Sequence, residues 1–216
     1  MIFNYIIVFI ISYLIGSIPF SYIFAKKYKD IDLTKEGSHN LGAMNAYEST
    51  HNLWIGAMVL LADFAKGALT TAIAINFEQT IEITYCSAIA AVLGHNFSIF
   101  MKFKGGRGLA VSAGAFLLIN PIAIITWLLL YFISRYSISH NVHIDNLIAC
   151  VLTPVVLIYL PDYLLWDFSI FSFYDIRKLR ILVTIICLLI IIKHIKPISQ
   201  LIKSNKTRGK KVKINS

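Results

Sequence analysis

The feature of this sequence that most limits its fold is a series of apolar runs, each long enough to cross a lipid bilayer as a helix. A crossing takes about 20 residues of helix, and little sequence is left between the runs for a soluble domain. Hydrophobic residues make up 57% of the 216 residues and charged residues only 14%, a composition that excludes an ordinary soluble protein. We therefore predict an all-α, polytopic bundle of membrane helices. The runs lie near residues 2 to 25, 53 to 76, 82 to 101, 108 to 134, 146 to 166 and 179 to 195.

The first run is predicted to be a retained span and not a signal peptide. The amino terminus of this run, Met1 to Asn4, includes no basic side chain, and the apolar stretch is longer than the hydrophobic region of a typical signal peptide. The cysteines lie singly inside apolar runs, without the paired spacing of a metal site or a disulfide. They are Cys86, Cys150 and Cys187. No metal or cofactor is expected.

Basic residues mark one side of the membrane. The net charge of +9 is concentrated after the first run, after the third run and in the tail, whereas residues 78 to 82 include no lysine or arginine. Positively charged loops face the cytoplasm, so we predict an outside amino terminus and a cytoplasmic tail, in a multi-pass protein of the cell inner membrane. Residues 1 to 203 are expected to form one transmembrane domain, followed by a basic tail at 204 to 216. We interpret that tail as an orientation signal and expect no nucleic-acid partner.

Counting the crossings predicts a break in the fourth run. A cytoplasmic loop at 102 to 107 and a cytoplasmic tail require an even number of crossings between them, yet three runs follow that loop. The run at 108 to 134 is longer than one crossing needs, and Asn120-Pro121 lies near its middle. Proline ends a helix because it has no N–H and clashes with the preceding turn. Splitting the run there gives seven membrane segments.

The split also predicts a cavity. Helices of about 13 residues reach only about 20 Å, so their ends need surrounding protein or a water-filled space. That space is expected near the cytoplasmic face, beside the loop at 102 to 107. The same count places Ser134, Arg135 and Tyr136 on that face.

The loop Lys104-Gly105-Gly106-Arg107-Gly108 combines cations with glycines. Glycines permit positive φ and leave backbone N–H groups uncovered, so such a loop can form a nest for an anion. The first N–H groups of the following helix add positive potential, which suits phosphate. The alternative is that the cations only mark a cytoplasmic loop and the glycines only form a tight turn.

A second polar loop, "GSHNLGAMNAYEST" at residues 37 to 50, is placed on the same face. Its Ser38, Asn40 and Asn45 offer side-chain donors and acceptors on a glycine-punctuated backbone, which suits the binding of hydroxyl and phosphate oxygens. Taken alone, the loop slightly favours a plain connection between helices. Its position beside the basic loop favours a shared site.

Titratable residues inside or at the edge of apolar runs are the remaining candidates. Asp63 and Lys66 stand three residues apart on one helical face, and we interpret them as a structural pair. His95 either binds substrate or hydrogen-bonds the backbone of the basic loop. His140 and Asp145 have the H-x4-D spacing used by many acyltransferases, which we interpret here as chance.

Four stretches together resemble the acyl-phosphate-dependent glycerol-3-phosphate acyltransferase family of bacteria. In order they are "YLIGSIPFSYIFAK" (13 to 26), "GSHNLGAMNA" (37 to 46), "LLADFAKG" (60 to 67) and "GHNFSIFMKFKGGRG" (94 to 108). The resemblance covers nearly the whole chain. It implies seven spans, an outside amino terminus and a site on the cytoplasmic face.

The resemblance also implies a reaction. A fatty acyl group would pass from acyl phosphate to the first hydroxyl of glycerol 3-phosphate, giving lysophosphatidic acid and phosphate for phospholipid biosynthesis. Acyl phosphate is already activated, so the protein needs mainly to position two anions and stabilise charge. The expected partners are these two substrates and membrane lipids.

Matching the motifs residue by residue implies particular roles. Catalytic roles fall to Ser38, His95 and His194. Binding of the substrate phosphate falls to Asn40, Asn45, Lys104, Gly105, Gly106, Arg107 and Gly108.

The chain departs from the family pattern at several positions. After His194 the family usually has asparagine, arginine and glutamate, where this chain has Pro197, Gln200 and Lys206. In the first loop, the family's glycine, threonine and arginine are replaced by His39, Met44 and Glu48.

These departures matter because arginine is suited to bidentate phosphate binding, whereas Glu48 would repel a phosphate. Either other cations such as Arg135 or Lys196 replace the missing ones, or the chain is a diverged branch with altered substrate or reduced activity. The alternative function is a non-catalytic lipid-binding or transport protein with the same fold.

Overall fold

The computed structural model describes residues 2–78, 80–169 and 175–214, with side chains as far as residue 203. Helices make up nearly all of this part of the chain, which includes no strand. A short 3-10 turn, Ile99–Met101, lies between α5 and α6. The α-helices are α1 (Ile2–Ser17), α2 (Phe20–Lys29), α3 (Ala43–Thr50), α4 (Leu53–Phe77), α5 (Ile81–Asn96), α6 (Leu109–Ile119), α7 (Pro121–Ser137), α8 (Val142–Tyr159), α9 (Asp162–Asp167) and α10 (Ile176–Ile214).

Several helices have the length and composition of membrane spans. Within the described ranges, four segments qualify: Ile2–Lys29, Leu53–Phe77, Val142–Tyr159 and Ile176–Lys203. The helices α6 and α7 are apolar but shorter. Large apolar side chains lie on the outside of the bundle, as Leu61 at 66% and Leu129 at 59% exposure illustrate. Such a surface is typical of contact with lipid. The prediction of an all-α membrane bundle is confirmed.

The predicted break at Asn120-Pro121 is also confirmed. The helix α6 ends at Ile119 and α7 begins at Pro121, whose missing N–H is tolerated at a first helical position. Asn120 stabilises the corner, because its Oδ1 accepts a hydrogen bond from the Ile122 N–H at 3.0 Å. Its Nδ2 donates to the Leu165 carbonyl at 2.8 Å, which fixes the corner beside α9.

A second break, which the apolar pattern did not reveal, divides the first predicted span. The helix α1 ends at Ser17 and α2 begins at Phe20, since Pro19 cannot continue the hydrogen-bond ladder. The freed carbonyl of Ile18 accepts a hydrogen bond from the buried Nζ of Lys66 at 3.0 Å. This contact ties the break to α4 and brings it next to the candidate site.

The last two predicted runs differ in extent from their helices. The helix α8 begins at Val142 and not near 146, because Asn141 caps it by accepting hydrogen bonds from the His143 and Ile144 N–H groups. The helix α10 continues through Pro197 to Ile214. The predicted boundary between residues 203 and 204 therefore falls inside one continuous helix. The side chains of the predicted tail lie outside the described residues.

Glycines allow two pairs of helices to pack backbone against backbone. On α1 and α5, a Cβ at Gly16 or Gly94 would overlap a carbonyl oxygen of the facing helix. On α4 and α6, a Cβ at Gly67 or Gly114 would likewise overlap a carbonyl oxygen of the facing helix. Small residues at such contacts are typical of membrane helix pairs. The close packing of α1, α4, α5 and α6 fixes the loops that carry the candidate site.

Those loops meet at one end of the bundle, which we call the motif end. It consists of residues 30–42, 97–108 and 138–143 together with the part of α10 around His194. The N–H of Leu41 donates to the Gly105 carbonyl at 3.4 Å, which joins the first two loops. The ring of His143 contacts that of His194, which joins the third loop to α10.

Candidate active site

The glycine loop is folded tightly against the end of α5. Ser98 and Lys104 form an antiparallel bridge that closes it, and Lys102 and Phe103 turn the chain with positive φ values of 53° and 60°. The Gly106 N–H donates to the His95 carbonyl at 3.0 Å. The loop is therefore a compact, internally bonded structure.

The glycines of this loop have two different roles. Gly108 adopts a φ of +85° at the start of α6, as expected for a residue that must turn left-handed. Gly105 and Gly106 do not have positive φ. They are needed for close approach instead: a Cβ on Gly105 would overlap the His95 carbonyl, and a Cβ on Gly106 would overlap the His95 ring at Nε2. The predicted reason for these two glycines was wrong in this respect.

Behind the loop lies a buried network that joins His95 to the predicted Asp63–Lys66 pair. The Lys66 Nζ is 2.9 Å from Asp63 Oδ1, and His95 Nδ1 is 3.6 Å from the same oxygen. These three side chains are 3%, 3% and 7% exposed. The interpretation of Asp63 and Lys66 as a structural pair agrees with this geometry. The network sets the position of the His95 ring on which Gly106 rests.

A small cavity of about 10 Å³ adjoins this network, with Asp63, Lys66, His95, Gly105 and Gly106 among its lining residues. That volume holds about one water molecule. The space is too small for a substrate. We therefore interpret the network as a support for the loop and not as a binding site.

In the first polar loop, Asn45 faces inward and holds the loop together. Its Oδ1 accepts a hydrogen bond from the Ser38 N–H at 2.8 Å, and its Nδ2 donates to the Glu36 carbonyl at 3.3 Å. The side chain is 1% exposed. Ser38 is exposed and Asn40 is partly exposed, so these two side chains remain accessible at the motif end.

The two cations of the glycine loop differ in exposure. Lys104 is exposed, whereas Arg107 is partly buried. Burial lowers the pKa of the Arg107 guanidinium, and the carboxylate of Glu48 opposes that shift. Glu48, which replaces an expected arginine, is therefore electrostatically coupled to Arg107.

Arg107 also lies at the centre of a positively charged region. Its charge acts on Lys193, His143 and His194, which belong to α8 and α10. The Lys193 Nζ donates to the Asn96 carbonyl at 2.8 Å and lies 4.9 Å from the centre of the Phe97 ring. Arg107 and Lys193 therefore create a positive potential beside the glycine loop.

His194 is held so that one ring nitrogen faces this region. Its Nδ1 is 2.9 Å from the Ile190 carbonyl, and because a carbonyl only accepts hydrogen bonds, Nδ1 carries the hydrogen. In the neutral ring, Nε2 then presents a lone pair. Within the described chain, this buried Nε2 has no hydrogen-bond partner. The geometry suits acceptance of a proton from a substrate hydroxyl.

The positions after His194 at which the chain departs from the family pattern lie along α10. Pro197 is one turn beyond His194 and offers no side-chain donor, and Lys196 and Gln200 are exposed. The side chain of Lys206 lies outside the described residues. The described part of α10 thus brings His194 and Lys193 to the motif end.

Sequence reasoning missed the environment of Asp145. This carboxylate is fully buried and accepts hydrogen bonds from Ser134 Oγ at 2.7 Å and Ser139 Oγ at 2.6 Å. Arg135 is 3.5 Å from its other oxygen and also donates to the His140 carbonyl. The His140 side chain is exposed. A carboxylate in the first turn of a largely apolar helix was the available signal.

Sequence reasoning also missed His143. Its ring meets that of His194 with centroids 5.6 Å apart, and its buried Nδ1 has no hydrogen-bond partner among the described residues. Its position near the start of α8 gave no indication of this contact, because the contact depends on how α8 packs against α10.

Comparison with known proteins agrees with the fold. Residues 6–204 match the family model described as glycerol-3-phosphate acyltransferase. The glycerol-3-phosphate acyltransferase of Bacillus subtilis is 35% identical over 201 residues, which cover 93% of this chain and 94% of that protein. The one from Thermotoga petrophila is 45% identical over 132 residues, 59% of this chain and 67% of that protein.

Solved structures of PlsY (YgiH), an integral membrane glycerol 3-phosphate acyltransferase, have the same fold. Its glycerol 3-phosphate form superposes with a TM-score of 0.74 at 26% identity, covering 93% of this chain and 92% of that chain. Its lysophosphatidic acid form gives a TM-score of 0.73 at 25% identity, with the same coverage. The chain is thus a multi-pass membrane protein, and it belongs to the glycerol-3-phosphate acyltransferase family.

Proposed function

We propose that this protein transfers a fatty acyl group from acyl phosphate to the sn-1 hydroxyl of glycerol 3-phosphate. The hydroxyl oxygen forms a bond to the acyl carbon, the bond between that carbon and the phosphate oxygen breaks, and phosphate leaves. The products are lysophosphatidic acid and inorganic phosphate. The observation that carries the proposal is the meeting of the glycine loop, Arg107, Lys193 and the free Nε2 of His194 at one end of the bundle.

Each group has a role in this reaction. His194 accepts the proton of the attacking hydroxyl through Nε2, and Ser38 hydrogen-bonds the substrate. Lys104 and Arg107 bind phosphate oxygens, together with the N–H groups of the glycine loop other than those of Lys104 and Gly106, which bond within the protein. His95 acts from behind the loop, because its ring and carbonyl set the positions of Gly105 and Gly106. Asn40, which belongs to the first polar loop, binds the phosphate, and Asn45 maintains the conformation of that loop.

The proposed orientation places the motif end at the cytoplasmic face of the inner membrane and the amino terminus outside. Seven crossings follow if α1 with α2, α4, α5, α6, α7, α8 and α10 each cross once. The short helices α6 and α7 are supported by the packing of α6 on α4 and of α7 on α8. The phosphate groups of acyl phosphate and of glycerol 3-phosphate can then enter from the cytoplasm, while the acyl chain stays in the lipid.

The direct test uses the purified protein in lipid. Acyl phosphate and glycerol 3-phosphate are supplied together, and released phosphate and lysophosphatidic acid are measured. Acyl-CoA and acyl carrier protein are compared as donors in parallel. The proposal expects turnover with acyl phosphate. Lack of turnover with every donor would contradict it.

Replacing Lys104 with alanine is expected to lower kcat/KM for glycerol 3-phosphate by about 10- to 100-fold. A hydrogen bond to a charged group contributes about 1.5–3 kcal/mol, which corresponds to that loss. Lys102→Ala is the matched control, since Lys102 is equally exposed in the same loop. Equal activities of the two variants would remove Lys104 from the phosphate site.

A second candidate function is lipid binding or transport without catalysis. The observation that favours it is Pro197, which provides no side-chain donor one turn beyond His194. In that case the wild-type protein binds glycerol 3-phosphate or lysophosphatidic acid in a calorimetric titration but forms no product with any donor.

A further inference from the structure

We propose that His143 binds the phosphate group of glycerol 3-phosphate by donating a hydrogen bond from Nδ1. The inference rests on the proposed function, and it adds a substrate-binding residue from α8 to those supplied by the loops and by α10. His143 belongs to none of the motif stretches that indicated the function.

The first support is the arrangement of the two histidine rings. The rings of His143 and His194 meet edge to face, with centroids 5.6 Å apart and an angle of 63° between their planes. Nδ1 of His143 and Nε2 of His194 are both buried, and in the part of the chain that the structure describes neither has a hydrogen-bond partner. Buried polar atoms are normally hydrogen-bonded. Two such nitrogens on adjacent rings indicate a ligand that supplies the missing partners.

The second support is the chemistry of these nitrogens. His194 is 1% exposed and its Nδ1–H is used by the Ile190 carbonyl, so its neutral ring offers an acceptor. His143 can offer its Nδ1–H as a donor. A donor beside an acceptor matches a molecule with an anionic oxygen and a hydroxyl, which is the combination that glycerol 3-phosphate carries.

The third support is the surrounding charge. Arg107 acts on both histidines, and its charge also reaches Lys193. Glu48 offsets part of the Arg107 charge, but the two cations still favour an anion in front of the rings. The phosphate group is therefore the part of the substrate expected at His143, and the hydroxyl is the part expected at His194.

The fourth support is the lack of a side-chain donor on α10 one turn beyond His194. One turn beyond His194 the chain has Pro197, which provides no side-chain donor, and Lys196 points outward with an exposed side chain. The helix α8 packs against α10 and brings His143 into contact with the His194 ring.

The test compares two substitutions at position 143. Phenylalanine keeps the ring but has no nitrogen, whereas asparagine places an amide nitrogen close to the position of Nδ1. His143→Phe is expected to raise the KM and the Kd for glycerol 3-phosphate by about tenfold or more, as for a lost hydrogen bond to a charged group. His143→Asn is expected to stay close to wild type, and both variants should keep the wild-type KM for acyl phosphate.

His140→Phe is the matched control, because His140 lies three residues before His143, just ahead of α8, with an exposed side chain. Unchanged affinity of His143→Phe, or equal losses in the phenylalanine and asparagine variants with lowered melting temperatures, would overturn the proposal.

Calorimetric titration separates this outcome from failure of the proposed function. If the wild type binds glycerol 3-phosphate without turnover, the proposed function fails and His143 is still tested by Kd. Lack of binding by the wild type would overturn both.

Discussion

Replacing Asp63 with alanine is expected to lower the free energy of unfolding by about 3–5 kcal/mol, the typical result of removing one partner of a buried ion pair. The substitution leaves the Lys66 ammonium uncompensated at 3% exposure. It also removes the carboxylate that lies 3.6 Å from the His95 ring. Thermal or denaturant unfolding of the purified protein in detergent or lipid measures the change.

The double variant Asp63→Ala, Lys66→Met is the control for this prediction. Methionine retains most of the length of lysine but has no charge, and replacing a whole buried ion pair with apolar groups is often close to neutral. We expect the double variant to regain more than half of the lost stability. It should not regain all of it, because the Ile18 carbonyl loses the hydrogen bond from Lys66. A single variant as stable as the wild type would show that the buried pair does not stabilise the bundle.

Replacing Gly106 with alanine is expected to reduce acyl transfer by about 100-fold, the effect of moving a catalytic group by about 1 Å. The added methyl group would overlap Nε2 of His95 and lie 2.9 Å from the Leu41 carbonyl oxygen. Either the loop or the His95 ring must move, and the donors that the loop presents to phosphate move with it. Turnover of acyl phosphate with glycerol 3-phosphate measures the loss.

A double-mutant cycle with His95→Ala tests the physical reason for this loss. Without the ring, the methyl group at position 106 has space, so adding Gly106→Ala to His95→Ala should cost much less activity than adding it to the wild type. Equal losses in the two backgrounds would mean that the contact with His95 is not the cause.

Local sequence was sufficient to predict the long apolar helices of this protein and the break at Asn120. Apolar runs of bilayer length identify membrane helices, and Pro121 interrupts a helix through its own missing N–H. Each of these signals depends only on residues that are close together in the sequence. Pro19 interrupts a helix for the same reason, but this break was not predicted because the length of the apolar run around it fitted a single crossing.

The two predicted loops do lie together, since Leu41 hydrogen-bonds Gly105. Their shared content of glycines and polar residues indicated a common site before the geometry was known. The roles that the resemblance implies for Ser38, Asn40, Lys104 and Arg107 remain predictions for the experiments above.

The sequence by itself determined that this chain is a helical membrane protein with a glycine loop flanked by cations. The tertiary structure alone decided that Asp63 contacts His95, that Gly106 rests on the His95 ring, and that His143 faces His194. The reason is that propensity and hydropathy act over neighbouring residues. The contact of Gly106 with His95 depends on how the glycine loop folds back onto the end of α5, and the other two contacts depend on which faces of separate helices pack together. Side chains 32 to 51 residues apart become neighbours only when α4 packs with α5 and α8 with α10.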